Sequence, residues 1–527
     1  MPILLSTLPI VALLLCLLVF KLPVPKAAGI SLLVALGLAL GVFGLPIAYL
    51  PFTIGKALWL ALFVSLIVWF AIFLYHLVGD FKAMEVISKN LSIFVEDKFV
   101  SFLLLAWMFT GLLQGMAGFG VPAVIVTPIL IALGHNKIKS LAGALLGHSW
   151  AVTFGSLGAA YFVILGITEV DPTQLAHAMW IFNTAAHLLT GLGVCFIYDG
   201  FKGIKKGFSY VLPVSVVMTV VQYVTILFGA YPVAGLLPAL VGVLTMFLLY
   251  KIRSGSKEKK TLFKNKLNLL QSALPYIVII ILALSFQFFI PQSVNDAASF
   301  GPNFPAGTTE SHVFSDFTHE IDPITNYNAI RLFRHPAFLL LSAAVTAMIV
   351  YKAAGIWNKD TFKGVIQNTV KKGKPATLAL VGLGSMSLVM MDAGMTVTLA
   401  QGVADLSGRS YPLFAPLIAV LSSFLTGNNT NANVLFGYFQ FTTANIIGVN
   451  YVIMTALQSM MAGVAVSIGP TLILMGALAS DQPGPETVSA ILKKLMPIVI
   501  LIAIIMGVIN FFVIQQDVFY LWGHANR

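Results

Sequence analysis

Two stretches decide the fold. Gln114-Gly115-Met116-Ala117-Gly118-Phe119-Gly120-Val121-Pro122 interrupts the apolar run 99–134, and Thr426-Gly427-Asn428-Asn429-Thr430-Asn431-Ala432-Asn433 interrupts the apolar run 412–448. Each run exceeds the roughly 20 residues that one membrane helix needs. Three glycines in the first break permit a tight reversal, and Pro122 suits an early position of a returning half-helix. The second break sets four asparagines between apolar flanks, where an unsatisfied amide costs several kcal/mol. Both runs therefore read as hairpins that enter a membrane and return to the side they left.

The rest of the chain supplies the membrane setting. Of 527 residues, 58% are apolar and 9% charged, against about 25% charged in a soluble domain, and the mean hydropathy is +0.94. The apolar runs are continuous and not alternating, which excludes an outer-membrane barrel. Spanning helices are expected near 3–20, 27–50, 57–79, 140–165, 172–197, 208–228, 232–250, 272–290, 336–351, 375–404, 450–478 and 495–516. The fold class is all-α polytopic, with about 12 spanning helices, two re-entrant hairpins and one transmembrane domain over 1–527.

Treating both interrupted runs as hairpins gathers 25 of the 30 Lys and Arg on one face, in the loops 21–26, 80–98, 135–139, 198–207, 251–271, 352–374 and 479–494. By the positive-inside rule that face is cytoplasmic, so both termini lie outside and the hydrophilic loop 291–335 forms an outer cap. On this topology no Lys or Arg falls within a span. The net charge of +11 becomes a topology signal, and nucleic acid is not an expected partner; the lipid bilayer is. The first apolar run lacks the basic start and small-residue exit of a cleaved signal. Cys16 and Cys195 are too few for a disulfide framework and read as core fillers.

The order helix, hairpin, helix in 57–165 is repeated in the opposite membrane sense in 375–478. Inverted repeats with discontinuous helices are the mark of secondary transporters, whose site lies where the breaks meet. The expected substrate-binding residues are thus Gln114, Gly115, Gly118, Phe119, Gly120, Thr426, Gly427, Asn428, Asn429 and Asn433. Half-helix N-termini suit a carboxylate, while Asn and Thr oxygens suit a cation. Among ionisable groups, Asp392 is the clear intramembrane acid and His148 titrates near neutrality in solution, so these two are the candidate coupling groups. His177 and His187, ten residues apart on one helix, point apart and make a poor metal pair. No metal site or cofactor is expected beyond a coupling H⁺ or Na⁺. No nucleotide loop, zinc motif or nucleophile elbow occurs, and an enzyme is not expected.

The breaks also resemble the lactate permease family of bacterial L-lactate, D-lactate and glycolate carriers. The likeness is strongest in Gly115-Met116-Ala117-Gly118-Phe119-Gly120-Val121-Pro122-Ala123, in Phe424-Leu425-Thr426-Gly427 continuing to Asn433-Val434-Leu435-Phe436, and in Ile446-Ile447-Gly448-Val449. It implies import of a small 2-hydroxy monocarboxylate with protons by alternating access. Three positions depart from the family pattern: Gln114 stands for Glu, Asn429 for Asp and Val466 for Lys. Neutral amides keep hydrogen bonds but do not titrate, which leaves open a Na⁺-coupled carrier of another small organic anion and, of a different class, an anion channel. Dimerisation is a further expectation, common in carriers of this architecture.

Overall fold

The computed structural model describes residues 1–93, 95–118, 120–254, 263–314, 317–480 and 484–515. It is a helical membrane protein with, among the described residues, 11 helices long and apolar enough to span a bilayer, or 12 if the bent pair Lys137–Ala151 and Gly155–Thr168 is one span. Its few strands lie in the segment 299–331, as two short antiparallel pairs, Ser299–Phe300 with Ile330–Arg331 and Gly307–Glu310 with Thr318–Ile321. The side bearing this segment is called the cap face below.

Two long helices, Leu50–Asp80 and Lys359–Asp392, pack side by side. Lys56 meets Asp392, Trp69 meets Thr377 and Asp80 lies beside Lys372, so the helices run antiparallel along their whole contact. Each ends on an aspartate, and two residues later the chain turns through a left-handed residue, Lys82 (φ 66°) or Gly394 (φ 71°). A shorter helix follows each, Ala83–Ile93 and Met395–Ser407. Next come the hairpins. The first enters through Lys98–Leu103, a π-helical stretch Leu104–Phe109 and Thr110–Ala117, and leaves through Val121–Ala132. The second is Tyr411–Thr426 with Asn429–Ile446. A broken helix completes each set: Lys137–Gly147 with Gly155–Thr168, and Tyr451–Ala465 with Pro470–Ala479.

The helix Pro172–Leu227 is two arms joined at Asp199 (φ −151°) and Gly200 (φ 57°). Trp180 Nε1 donates to Thr219 O at 2.9 Å and Asn183 Nδ2 to Gln222 Oε1 at 2.9 Å. Both pairs join residues 39 positions apart, about 58 Å along an unbroken helix, so they form only if the arms fold back on each other, as the expected spans 172–197 and 208–228 require. Cys16 and Cys195 are free thiols in the buried core.

Three expectations are corrected. The span 375–404 is not continuous, because its helix stops at Asp392 and Gly394 takes a left-handed turn against Phe317 and His319 of the cap segment. The spans 140–165 and 450–478 are broken, the first where Ser156, Leu157 and Gly158 all adopt positive φ (49°, 53°, 86°) and the second at Val466–Gly469. Lys56, expected outside the spans, lies inside a helix and is 1% exposed. Apolar composition shows which stretches can lie in a membrane but not where a helix starts, and Lys56 is tolerated because a carboxylate is built opposite it.

Candidate functional site

All four interruptions converge. One small cavity of about 40 Å³ is lined by Gln114 and Gly120 from the first hairpin, by Gly427, Asn428, Asn429 and Thr430 from the second, by His148, Val152, Gly155, Ser156, Ala159 and Ala160 from the first broken helix, and by Val466 and Leu472 from the second. It has room for a few water-sized groups. Gln114, Asn429 and Val466, the three departures noted above, all lie on its wall.

The second tip is built by its own side chains. Gly427 turns left-handed (φ 64°), and Asn428 then caps the returning helix, its Oδ1 accepting from the N–H of Thr430 at 2.7 Å and of Asn431 at 3.4 Å. The Thr426 hydroxyl donates to the carbonyls of Ser422 and Asn428, both at 2.9 Å, which locks the turn. Asn429 Nδ2 donates to Ser459 O at 3.1 Å and lies 3.4 Å from Thr153 Oγ1. Asn433 Nδ2 reaches Ala160 O at 3.0 Å and Ser459 Oγ at 2.9 Å. The asparagines thus tie the second hairpin to both broken helices. A relay of amides and hydroxyls ties the two arms of this hairpin to the second broken helix: Tyr411 donates to Gln440 (2.7 Å), Gln440 to Gln458 (3.2 Å) and Gln458 to Ser422 (3.2 Å).

Against this background the unsatisfied atoms stand out. Gln114 Oε1, Asn429 Oδ1 and Asn433 Oδ1 are buried acceptors with no hydrogen-bond partner among the described residues, a state that costs about 1–3 kcal/mol each unless a ligand, ion or water supplies a donor or charge. His148 is the one ionisable side chain among the residues that line the cavity. Its Nδ1 is 2.8 Å from Ala144 O; a carbonyl only accepts, so Nδ1 carries hydrogen and Nε2 is the atom that takes a further proton.

Other sequence-expected residues fall elsewhere. Gly118 shapes the first tip: a Cβ there would stand 2.1 Å from Ser156 Oγ. Gly115 is a packing glycine, with space for a Cβ closed by the Leu236 backbone at 2.9 Å. Phe119 lies outside the described residues. Asp392 does not line the cavity; its Oδ1 is 2.7 Å from Lys56 Nζ, its Oδ2 accepts from Thr53 Oγ1 at 2.6 Å and its carbonyl accepts from Thr309 Oγ1 of the cap segment at 2.8 Å. Sequence reasoning missed Lys56, Thr53 and the wall formed by Gly155, Ser156, Ala159 and Ala160. The small-residue run Gly155-Ser156-Leu157-Gly158 was the available signal for the last.

With this geometry in hand, the comparisons with known proteins are decisive. The L-lactate permease family model matches residues 2–516. The chain belongs to the L-lactate permease family. It is therefore a membrane transport protein of a family of permeases. Among similar family proteins, the L-lactate permease of Streptococcus iniae is 26% identical over 72% of this chain and 77% of its own length. That of Halalkalibacterium halodurans is 26% identical over 91% of both chains. The glycolate permease GlcA of Escherichia coli K12 is 23% identical over 92% of this chain and 91% of its own length.

Proposed function

We propose that this L-lactate permease family member imports a small 2-hydroxy monocarboxylate, lactate or glycolate, across a bacterial inner membrane by proton symport and alternating access, with both termini outside. The supporting observation is the single cavity at which two hairpin tips and two helix breaks meet, with His148 on its wall. We read 57–165 and 375–478 as inverted repeats, a reading supported by their common order of long helix, short helix, hairpin and broken helix.

In this mechanism the substrate carboxylate and hydroxyl use the amides of Gln114, Asn428 and Asn429, with the hydroxyl donating to a free amide oxygen. A proton taken by His148 Nε2 makes the loaded site neutral overall, which removes the large cost of carrying a lone anion through a low-dielectric interior. Release of substrate on the far side lowers the affinity for the proton, and the imidazolium discharges it there. Asp392, held by Lys56 and Thr53, serves to fix the long helices and the cap segment together.

Na⁺ coupling is the second reading, favoured by the unpartnered oxygens of Gln114 and Asn429, which are hard neutral ligands of the kind such an ion takes. Uptake of labelled L-lactate by purified protein in liposomes, with proton and Na⁺ gradients imposed separately, tests both. Accumulation under the proton gradient alone is expected. Accumulation that requires Na⁺ and survives collapse of the pH gradient transfers the mechanism to the second reading, and flux without saturation or counterflow would make the protein a channel.

A further inference from the structure

We propose that a second binding station for a small carboxylate lies at the cap face, built on Arg331 and Arg334, and that the anion passes from it toward the inner cavity beside Tyr161. The station is a vestibule of about 720 Å³ between the cap segment and the helix turns at Asp171–Thr173 and Gly229–Pro232. The proposal rests on the transport function above and adds a site on the approach to it.

Three observations carry it. The first is the pair of guanidiniums. Arg331 ends a two-residue strand paired with Ser299, and the chain then turns so that Arg334 N–H donates to Arg331 O at 3.0 Å. One turn thus puts both side chains on the vestibule wall. Among the described residues neither has a carboxylate within the 4.0 Å of an ion pair. Arg334 is instead steadied by a neutral group: with its amide oriented to place oxygen inward, buried Asn295 accepts from Arg334 Nε at 2.9 Å and Nη2 at 3.3 Å. A neutral acceptor fixes a guanidinium without cancelling its charge. Burial, and then the charge of Arg331, lower the pKa of Arg334 from its ordinary value, with Asp296 and Tyr231 opposing. Two like charges held together this way are stabilised by an anion between them.

The second is the state of the acids on the same wall. Asp171 commits an oxygen to capping a helix, accepting from Gln174 N–H at 2.9 Å. Asp296 acts on Arg334 from beyond ion-pair distance. Neither occupies the fork of a guanidinium.

The third is continuity with the inner site. Tyr161 lines the vestibule and the preceding residue, Ala160, lines the inner cavity, where its carbonyl holds Asn433. The Tyr161 ring sits among Phe154, Phe162 and Tyr231, with centroids 5.4, 5.1 and 5.3 Å away, and its hydroxyl donates to Pro172 O at 2.8 Å. This aromatic cluster stands where the vestibule comes within one residue of the inner cavity. A carboxylate concentrated beside the arginines is a step along one helix from the cavity.

Two measurements decide it. In liposomes, R331Q/R334Q should raise KM for lactate added at the cap face about fivefold, the size of one exposed charge contact, with the maximal rate little changed and the salt dependence of KM lost. R331K/R334K should retain most of the parental KM. Equilibrium binding of labelled lactate to purified protein with the inner site obstructed by Gly118→Val, or independently by Ala159→Phe, should leave one weak, salt-sensitive site that R331Q/R334Q removes. An unchanged KM, or no residual binding in either obstructed variant, overturns the proposal. Absence of uptake by the parent protein would instead overturn the transport reading, and the binding measurement would still judge the vestibule.

Discussion

At the scale of single residues, the two ionisable groups that the sequence offered for coupling sit in different surroundings. His148 lines the cavity and offers Nε2 for a proton, whereas Asp392 is 1% exposed and saturated by Lys56, Thr53 and the cap. His148→Gln is expected to abolish proton-driven accumulation of lactate while leaving exchange of lactate across liposomes largely intact. Asp392→Asn should destabilise the protein by about 3–5 kcal/mol, because it strands the Lys56 charge in the interior. Lys56→Met combined with Asp392→Leu should recover most of that loss in thermal unfolding in detergent. If this well-folded double variant exchanges lactate but no longer accumulates it, Asp392 carries the proton and the role given to His148 fails.

At the scale of elements, what matters is how the breaks fit one another. The first hairpin turns at Gly118 (φ 20°, ψ −147°) directly against Ser156, which belongs to the left-handed run that breaks the following helix. Neither break can be remodelled alone. Gly118→Val should reduce transport more than tenfold, a loss of about 1.4 kcal/mol or more in a productive conformation, with membrane insertion near normal as judged by yield of folded protein. Ser156→Gly in the same chain should restore part of the rate by vacating the space that the new Cβ needs; no restoration would mean the strained φ, and not the clash, sets the penalty. The long helices form a second paired feature. Asp392 meets Lys56 at one end and Asp80 lies beside Lys372 at the other, so each helix sets its terminal aspartate beside a lysine of its neighbour.

At the scale of the whole molecule, alternating access requires the cavity to open to each face in turn. Ala159→Cys places a thiol on the cavity wall, and the native Cys16 and Cys195 are 5% and 0% exposed, so background labelling is low. A small impermeant thiol reagent should modify Cys at this position from either side of oriented liposomes, and saturating lactate should slow both reactions. Labelling from one side only, under every gradient imposed, would refute alternating access for this protein.

Much of this was legible in the residues. Long apolar runs specify membrane helices because backbone groups in lipid must bond within the segment. The amide-rich and glycine-rich breaks specify reversals because neither composition is stable in a lipid-facing helix. Gln114, Gly120, Asn428, Asn429 and His148, singled out from the sequence, line the cavity. Local sequence could not show that Gly115 packs against Leu236, that Asn433 serves to hold Ala160, or that the helix after the first hairpin breaks at Ser156. Each depends on a partner remote in the chain. The same holds for Lys56, whose position in sequence suggests a helix end in water, but which folding brings to Asp392, 336 residues away. Sequence by itself determined the membrane class, the hairpins and the family, since these follow from local composition and its pattern. Only the tertiary structure decided which buried charges are satisfied and which polar atoms are left free, because a hydrogen bond or an ion pair is a property of two groups and their distance.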